Sequence, residues 1–268
     1  MRIRDNKEIG KYRILNPSMF RKLTMDSFEF IPPSPNMIGL LEFDITTKKQ
    51  IIADLQKKGK KVSLFASILK SIATALSAYP QLNSIRNHYR IIQFEDIDIN
   101  IPLEIETQEG RIPRQVVIRN ANQKTMEEIY SEIHSAKQEY EATGHTGSED
   151  KWAMRIMKIL FFVPRFIRKW ILRSIAKNPF MIKKQSGTTF ITSVSKFISG
   201  SGFIIPYLSS SRAVSFAVGS ESDKFLIYNG KNVERTVISI TIIFNHDIID
   251  GAEAARFTNH LKQLIESS

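Results

Sequence analysis

The chain has 268 residues, 42% of them apolar and 24% charged, which is an ordinary globular composition with enough length to bury a sizeable core. It has no cysteine, which excludes a disulfide framework, a thiolate metal site and a cysteine nucleophile; the chemistry must come from oxygen, nitrogen or a borrowed group. The net charge of +11 is uneven: residues 151–220 hold twelve basic residues and no acidic one, leaving the rest of the chain near neutral.

Met1–Arg13 is charged and has no apolar stretch, so no secretory signal is expected. No run of about 20 apolar residues predicts a membrane span. The first thirty residues read as a polar segment lying over the surface. Pro32-Pro33-Ser34-Pro35 forces an extended backbone. Met37–Ile45 is predicted as a strand from the alternation of Leu41, Phe43 and Ile45. Thr46–Gln56 follows as a helix with Thr46 as its cap, then the charged connector Lys57–Lys61.

Ser63 is predicted to cap an aliphatic helix, Leu64–Tyr79, stopped by Pro80. Tyr89–Gln93 and Ile97–Ile105 read as strands, Gln108-Glu109-Gly110 as a turn, and Gln115–Ile118 as a short strand. Thr125 caps a charged helix, Met126–Tyr140, and Gly144–Asp150 is a loop. Thr188–Val194 is a strand leading to a Ser/Gly-rich loop, Ser195–Gly202. Arg212–Gly219 and Phe225–Tyr228 are predicted as two strands joined by Ser220–Lys224. Val233–Asn245 is a long β-branched strand, and Gly251–Ile265 is the last helix. Strands and helices interleave without a regular βαβ rhythm, which predicts an α/β fold with a mixed sheet and packed helices.

The long strand runs into His246-Asp247-Ile248-Ile249-Asp250-Gly251. A strand fixes the imidazole, a carboxylate at position 250 sits beside a helix N-terminus that favours it, and Gly251 permits close backbone approach. His246–Gly251 matches the HxxxDG signature of the chloramphenicol acetyltransferase-like superfamily. The helix after it, Ala252–Phe257 with Leu261 and Leu264, resembles that of the dihydrolipoamide acyltransferase catalytic domain of 2-oxo acid dehydrogenase complexes. Three further blocks are similar to that family in the same order. These are Val62–Asn83 ending in Pro80-Gln81-Leu82-Asn83, Gly110–Pro113 with Val116–Ala121, and Gly187–Phe197.

This resemblance implies an α+β two-layer sandwich and a CoA-dependent acyltransferase. His246 would be the general base, because a neutral imidazole takes a thiol proton near working pH. Thr192, with Ser193 as the other candidate, would aim a hydroxyl at the oxyanion; successive strand residues face opposite ways, so one of the two reaches the site. Asp250 would hold the His loop. Coenzyme A enters as substrate, a lipoyl group on a separate carrier protein or a small molecule is the acceptor, and no metal is required. A homotrimer is implied, with His246 and Thr192 contributed by different subunits.

Several positions depart from the family. Asn245-His246-Asp247 stands where Asp-His-Arg is usual, and Ser195 stands where glycine is usual. The expected organisation is one catalytic domain over residues 1–268 without a lipoyl or peripheral subunit-binding domain. A cytoplasmic location, or one peripheral to a membrane, is expected. Lys151–Lys184 has no family counterpart and reads as a basic amphipathic helical insertion. Pro164 opens its second helix, and Arg165, Lys169, Arg173 and Lys177 share one face. It either packs on the domain, lies on an anionic membrane, docks an acidic carrier or attracts the phosphates of CoA. Its aromatics fall within apolar runs, which argues against nucleic acid. The competing reading for the whole chain is a non-catalytic or membrane-associated scaffold that keeps the fold.

Overall fold

The structure is a computed structural model. It describes residues 13–17, 19–30, 34–107, 110–143, 159–160, 162–195, 200, 202–206, 211–228 and 230–267. The predicted loop at 144–150, residues 151–158 and 161 of the insertion, and most of the Ser/Gly-rich loop at 195–202 lie outside them.

A six-stranded sheet forms the frame. Its strands are β1 (Asn36–Asp44), β4 (Ile99–Thr107), β5 (Gly110–Ile118), β6 (Thr189–Ser193), β7 (Val214–Tyr228) and β8 (Lys231–Asn245). They lie in the order β1-β8-β7-β6-β4-β5. β6 runs parallel to β4 and β7, and the other pairs are antiparallel. A separate hairpin pairs β2 (Ser84–Asn87) with β3 (Arg90–Gln93); β2 was not predicted.

Period-two alternation sorts the sheet's faces. Ile238, Ile240, Ile242 and Phe244 of β8 join the main core, with Phe216 of β7 and Ile191 of β6. The opposite face carries small polar residues: Ser239, Thr241 and Asn245 are all buried. Helices α2 (Thr46–Lys57), α3 (Leu64–Ala78), α4 (Met126–Thr143) and α7 (Gly251–Glu266) form the second layer. Ser63 Oγ accepts from Ala66 N at 3.2 Å, so this cap is as predicted. Thr125 and Glu128 form a reciprocal capping box on α4. Phe257 is fully buried and meets Phe244 and Tyr79 edge-on, at 6.1 and 5.7 Å between centroids.

Three expectations change. Thr46 is not the α2 cap; its N–H donates to Asp44 Oδ1 and its hydroxyl accepts from Thr236 N, tying the helix start to β8. The two strands predicted over 212–228 are one, β7, because a bulge between Val218 and Glu221 absorbs the break. There Gly219 leaves no room for a Cβ, which would sit 3.0 Å from the carbonyl oxygens of Gly202 and Ser239. The N-terminal segment contains a helix, α1 (Met19–Phe30), with Leu23 and Phe30 buried. The insertion holds α5 (Arg165–Lys177), begun after Pro164, and α6 (Pro179–Ser186), capped by Asn178.

The basic face of α5 is turned to α1. Arg165 meets Asp26 and Glu29, Arg168 lies 2.6 Å from Asp26, and Arg173 Nε donates to the Phe30 carbonyl at 2.8 Å. Lys169 stacks over the Phe30 ring. Packing on the domain is therefore what three of the four predicted face residues do. Phe162, Phe166 and Trp170 are left 82%, 74% and 71% exposed. Among the described residues no helix is long and apolar enough to cross a membrane.

Candidate active site

β8 ends at the centre of the candidate site. Asn245 N donates to Ala213 O, and its own carbonyl accepts from Ile248 N and Ile249 N at 3.0 Å. Its side-chain Oδ1 accepts from Asp247 N at 3.0 Å, closing an Asx turn. His246 N donates to Pro35 O at 2.8 Å. Ile249 is fully buried and pins the loop to the core. The His246 backbone is thus fixed on both sides, while its ring stays half exposed. Asp247 points back to β2, where Arg86 Nη1 lies 2.8 Å from its Oδ2. The two residues that replace the usual neighbours of the His therefore shape and anchor its loop. Arg86 went unremarked in the sequence because nothing local links it to a loop 160 positions later.

Asp250 occupies the N-cap position of α7, but its side chain makes no cap hydrogen bond. Its Oδ1 is 3.8 Å from His246 Nδ1, beyond hydrogen-bond range, and the carboxylate is 91% exposed. A Cβ added at Gly251 would meet nothing within 4 Å, so within the chain no close approach requires this glycine.

Thr192 and Ser193 separate as strand alternation demands. Ser193 is paired with Val218 on the core face, and its Oγ is 3.0 Å from Ser195 Oγ. Thr192 is half-buried on the opposite face and pairs with Ala217, which pairs with Thr241. Thr241 precedes His246 by five residues on a strand two positions from β6. At ~3.3 Å per residue and ~4.8 Å between strands, Thr192 and His246 lie roughly 19 Å apart in one chain. A single chain does not bring them together.

The start of β6 is set by Asp98, which is 3% exposed on its side chain. Its carboxylate accepts from Lys183 Nζ and Arg119 Nη1 at 2.9 Å and from Asn120 N at 3.0 Å. Burial pushes this carboxyl up, but these donors and the two cations outweigh burial and hold it below the usual carboxylate range. The Asp98 backbone carbonyl accepts from Thr188 N and Thr189 N. Gly187, at φ +64°, passes so close that a Cβ would sit 2.5 Å from that carbonyl oxygen. Arg119 and Asn120, singled out in the sequence as part of a block, thus lock β4 to the strand that carries Thr192.

Comparison with known proteins agrees with this architecture. The family model for the 2-oxoacid dehydrogenases acyltransferase (catalytic domain) matches residues 21–150 and 177–268, passing over 151–176. The dihydrolipoyllysine-residue acetyltransferase component of the pyruvate dehydrogenase complex of Bacillus subtilis is 23% identical over 248 residues, covering 87% of this chain and 45% of that protein. Its branched-chain lipoamide acyltransferase counterpart in the same organism is 25% identical, covering 87% and 47%. The chain thus spans about half the length of these curated relatives.

Among solved structures, the cubic core of the pyruvate dehydrogenase multienzyme complex superposes with a TM-score of 0.73 at 17% identity, covering all of this chain and 96% of the other. The dihydrolipoamide acetyltransferase of Azotobacter vinelandii, studied for the catalytic roles of a serine, a histidine and an asparagine, gives 0.72 at 17% with the same coverage. Chloramphenicol acetyltransferase gives 0.50 at 14%, covering 90% and 94%. The fold is the chloramphenicol acetyltransferase-like α/β sandwich, and the chain belongs to the 2-oxoacid dehydrogenases acyltransferase (catalytic domain) family.

Proposed function

We propose that this chain is a single acyltransferase catalytic domain that moves an acyl group between coenzyme A and the thiol of a lipoyl group carried on another protein. The observation that carries this is His246: a half-exposed imidazole on a rigid strand-end loop, within a family-matched sequence. His246 takes the proton of the incoming thiol as its sulfur attacks the thioester carbonyl. The tetrahedral oxyanion accepts a hydrogen bond from the Thr192 hydroxyl. Collapse expels the second thiol, which takes the proton back from the imidazolium. General-base help of this kind is worth roughly 10²–10⁴-fold, and the hydroxyl about another 10²-fold. Asp250, four positions after His246, joins the loop to α7 through its backbone carbonyl, which accepts from Ala254 N at 3.0 Å. The histidine and asparagine named for the Azotobacter enzyme are likewise four positions apart.

A working site needs a second copy, because Thr192 and His246 are too far apart in one chain. We place the Thr192 of one subunit beside the His246 of its neighbour in a homotrimer, located in the cytoplasm. The test is turnover of acetyl-CoA with dihydrolipoamide, read as free CoA thiol. A His246→Ala protein that works as well as wild type ends the proposal. Turnover with a small-molecule acceptor and none with dihydrolipoamide replaces the lipoyl acceptor; no turnover with either leaves the scaffold reading.

One observation favours peripheral membrane contact as a second property. Phe162, Phe166 and Trp170 are exposed in the stretch that the family model passes over, while the cations of α5 are turned to α1. Flotation on vesicles with anionic headgroups should be lost in Phe166→Ser/Trp170→Ser, and equal flotation of the two proteins retires this contact.

A further inference from the structure

Among the described residues, the helical layer holds a buried cation with no carboxylate partner. Lys48, in the first turn of α2, is 3% exposed. Its Nζ donates to Ser71 Oγ at 3.3 Å, and among the described residues no second partner completes its three donors. Burial alone draws its pKa from 10.5 down to about 8. An ammonium is placed in such a setting without a counter-ion only at a penalty that a bound anion removes.

Lys48 is also at a cavity. A cleft of about 180 Å³ between α2, α3, α4 and α7 is lined by Lys48, Lys70 and Ser71 with Ile51, Ile52, Met126 and Leu264. Lys70 Nζ is engaged elsewhere: it donates to the Asn122 carbonyl at 2.8 Å and lies within the field of the Glu128 carboxylate, so Lys48 is the cation at the cleft that lacks a counter-charge. Among the described residues no Asp or Glu lines it. Ser71 Oγ accepts from Lys48 and donates to the Leu264 carbonyl, so Lys48 is the group that selects an anion, and Ile51, Ile52, Met126 and Leu264 favour a hydrocarbon tail. The volume admits a small molecule and is too small for a nucleotide. Leu264 is near the far end of α7, thirteen residues from Gly251, so at ~1.5 Å per residue the cleft lies roughly 20 Å from the His246 loop.

We infer that this cleft is a binding site for a short aliphatic carboxylate, whose charged end pairs with Lys48 and whose tail lies against Ile51, Ile52, Met126 and Leu264. The carboxylate supplies the counter-ion that the fold withholds from Lys48. The site is separate from the catalytic reading and does not depend on it.

The experiment is thermal unfolding and titration calorimetry of the full chain with sodium butyrate at constant ionic strength. Sodium chloride is the blank, sodium phosphate supplies charge without tail, and n-butanol supplies tail without charge. Butyrate should bind saturably and raise Tm, and phosphate and butanol should fall well short of it. Lys48→Met should weaken butyrate binding about tenfold or more, and Lys48→Arg should retain most of it. His246→Ala should bind butyrate as wild type does. The site is refuted if butyrate behaves like chloride, if Lys48→Met binds it unchanged, or if phosphate or butanol matches it. Loss of binding in His246→Ala would equally refute it, by moving the ligand to the catalytic loop.

Discussion

Arg86 Nη1 and Asp247 Oδ2 are 2.8 Å apart, and this ion pair couples the β2–β3 hairpin to the residue that follows the candidate base. With the Asx turn of Asn245, it makes the His246 loop a braced element. The pair is partly exposed, so its own stabilisation is about 1 kcal/mol or less. Asp247→Asn should therefore leave the urea midpoint close to wild type. Its effect should appear in acyl transfer, as a several-fold fall in kcat, since a shift of the loop misplaces the imidazole. Unchanged kcat would reduce the pair to surface decoration.

Thr192→Ala should lower acyl transfer about 10²-fold with Tm unchanged, and Thr192→Ser should recover much of the loss. The roughly 19 Å between Thr192 and His246 in one chain gives a sharper test. Co-expressed Thr192→Ala and His246→Ala chains should regain about a quarter of wild-type activity if each site draws on two subunits. Absence of any recovery would mean that no active site is shared between subunits, and would overturn the intersubunit reading.

Phe257 joins Phe244 and Tyr79 at the contact between α7 and the sheet. Phe257→Ala should cost about 3–5 kcal/mol, read from urea unfolding. Because α7 leads out of the His246 loop, this variant should also lose acyl transfer at temperatures where it remains folded.

Asp98 has a depressed pKa in the folded chain, so its contribution is present above the ordinary carboxylate pKa and is lost as pH falls through the folded value. Stability measured against pH should therefore drop on the acid side. Asp98→Asn should flatten that acid limb and cost about 3 kcal/mol at neutral pH, because Lys183 and Arg119 lose their shared acceptor.

Lys48 has the opposite sign. Its folded pKa of about 8 is below the unfolded value of 10.5, so between these values the unfolded chain holds the extra proton. Stability rises with pH across that window, and the full penalty is present below it. Lys48→Met should stabilise the ligand-free protein by up to about 3 kcal/mol at neutral pH, and the gain should vanish near pH 11. Equal stability of the two proteins at pH 7 would mean that the ammonium is solvated.

Much of this was legible along the chain. Alternation placed β8 and so put His246 at a strand end; Ser63 and Thr125 announced α3 and α4 through capping that spans only four consecutive positions. α1 was not legible. Its register is stabilised by pairing with α5 through Asp26 and Glu29, contacts more than 130 positions away. β7 was split in two because a bulge leaves no alternation to count across Gly219 and Ser220.

What the sequence by itself determined is the inventory of reactive groups and their local setting: a lone histidine leaving a β-branched strand, two neighbouring hydroxyls of opposite facing, and a cation-rich insertion without acids. Only the tertiary structure decided which groups meet. Strand order and register set the distance from Thr192 to His246, and helix packing left Lys48 buried without a carboxylate partner among the described residues. Both arise from contacts between distant segments, where burial and pairing rather than local spacing choose the partner.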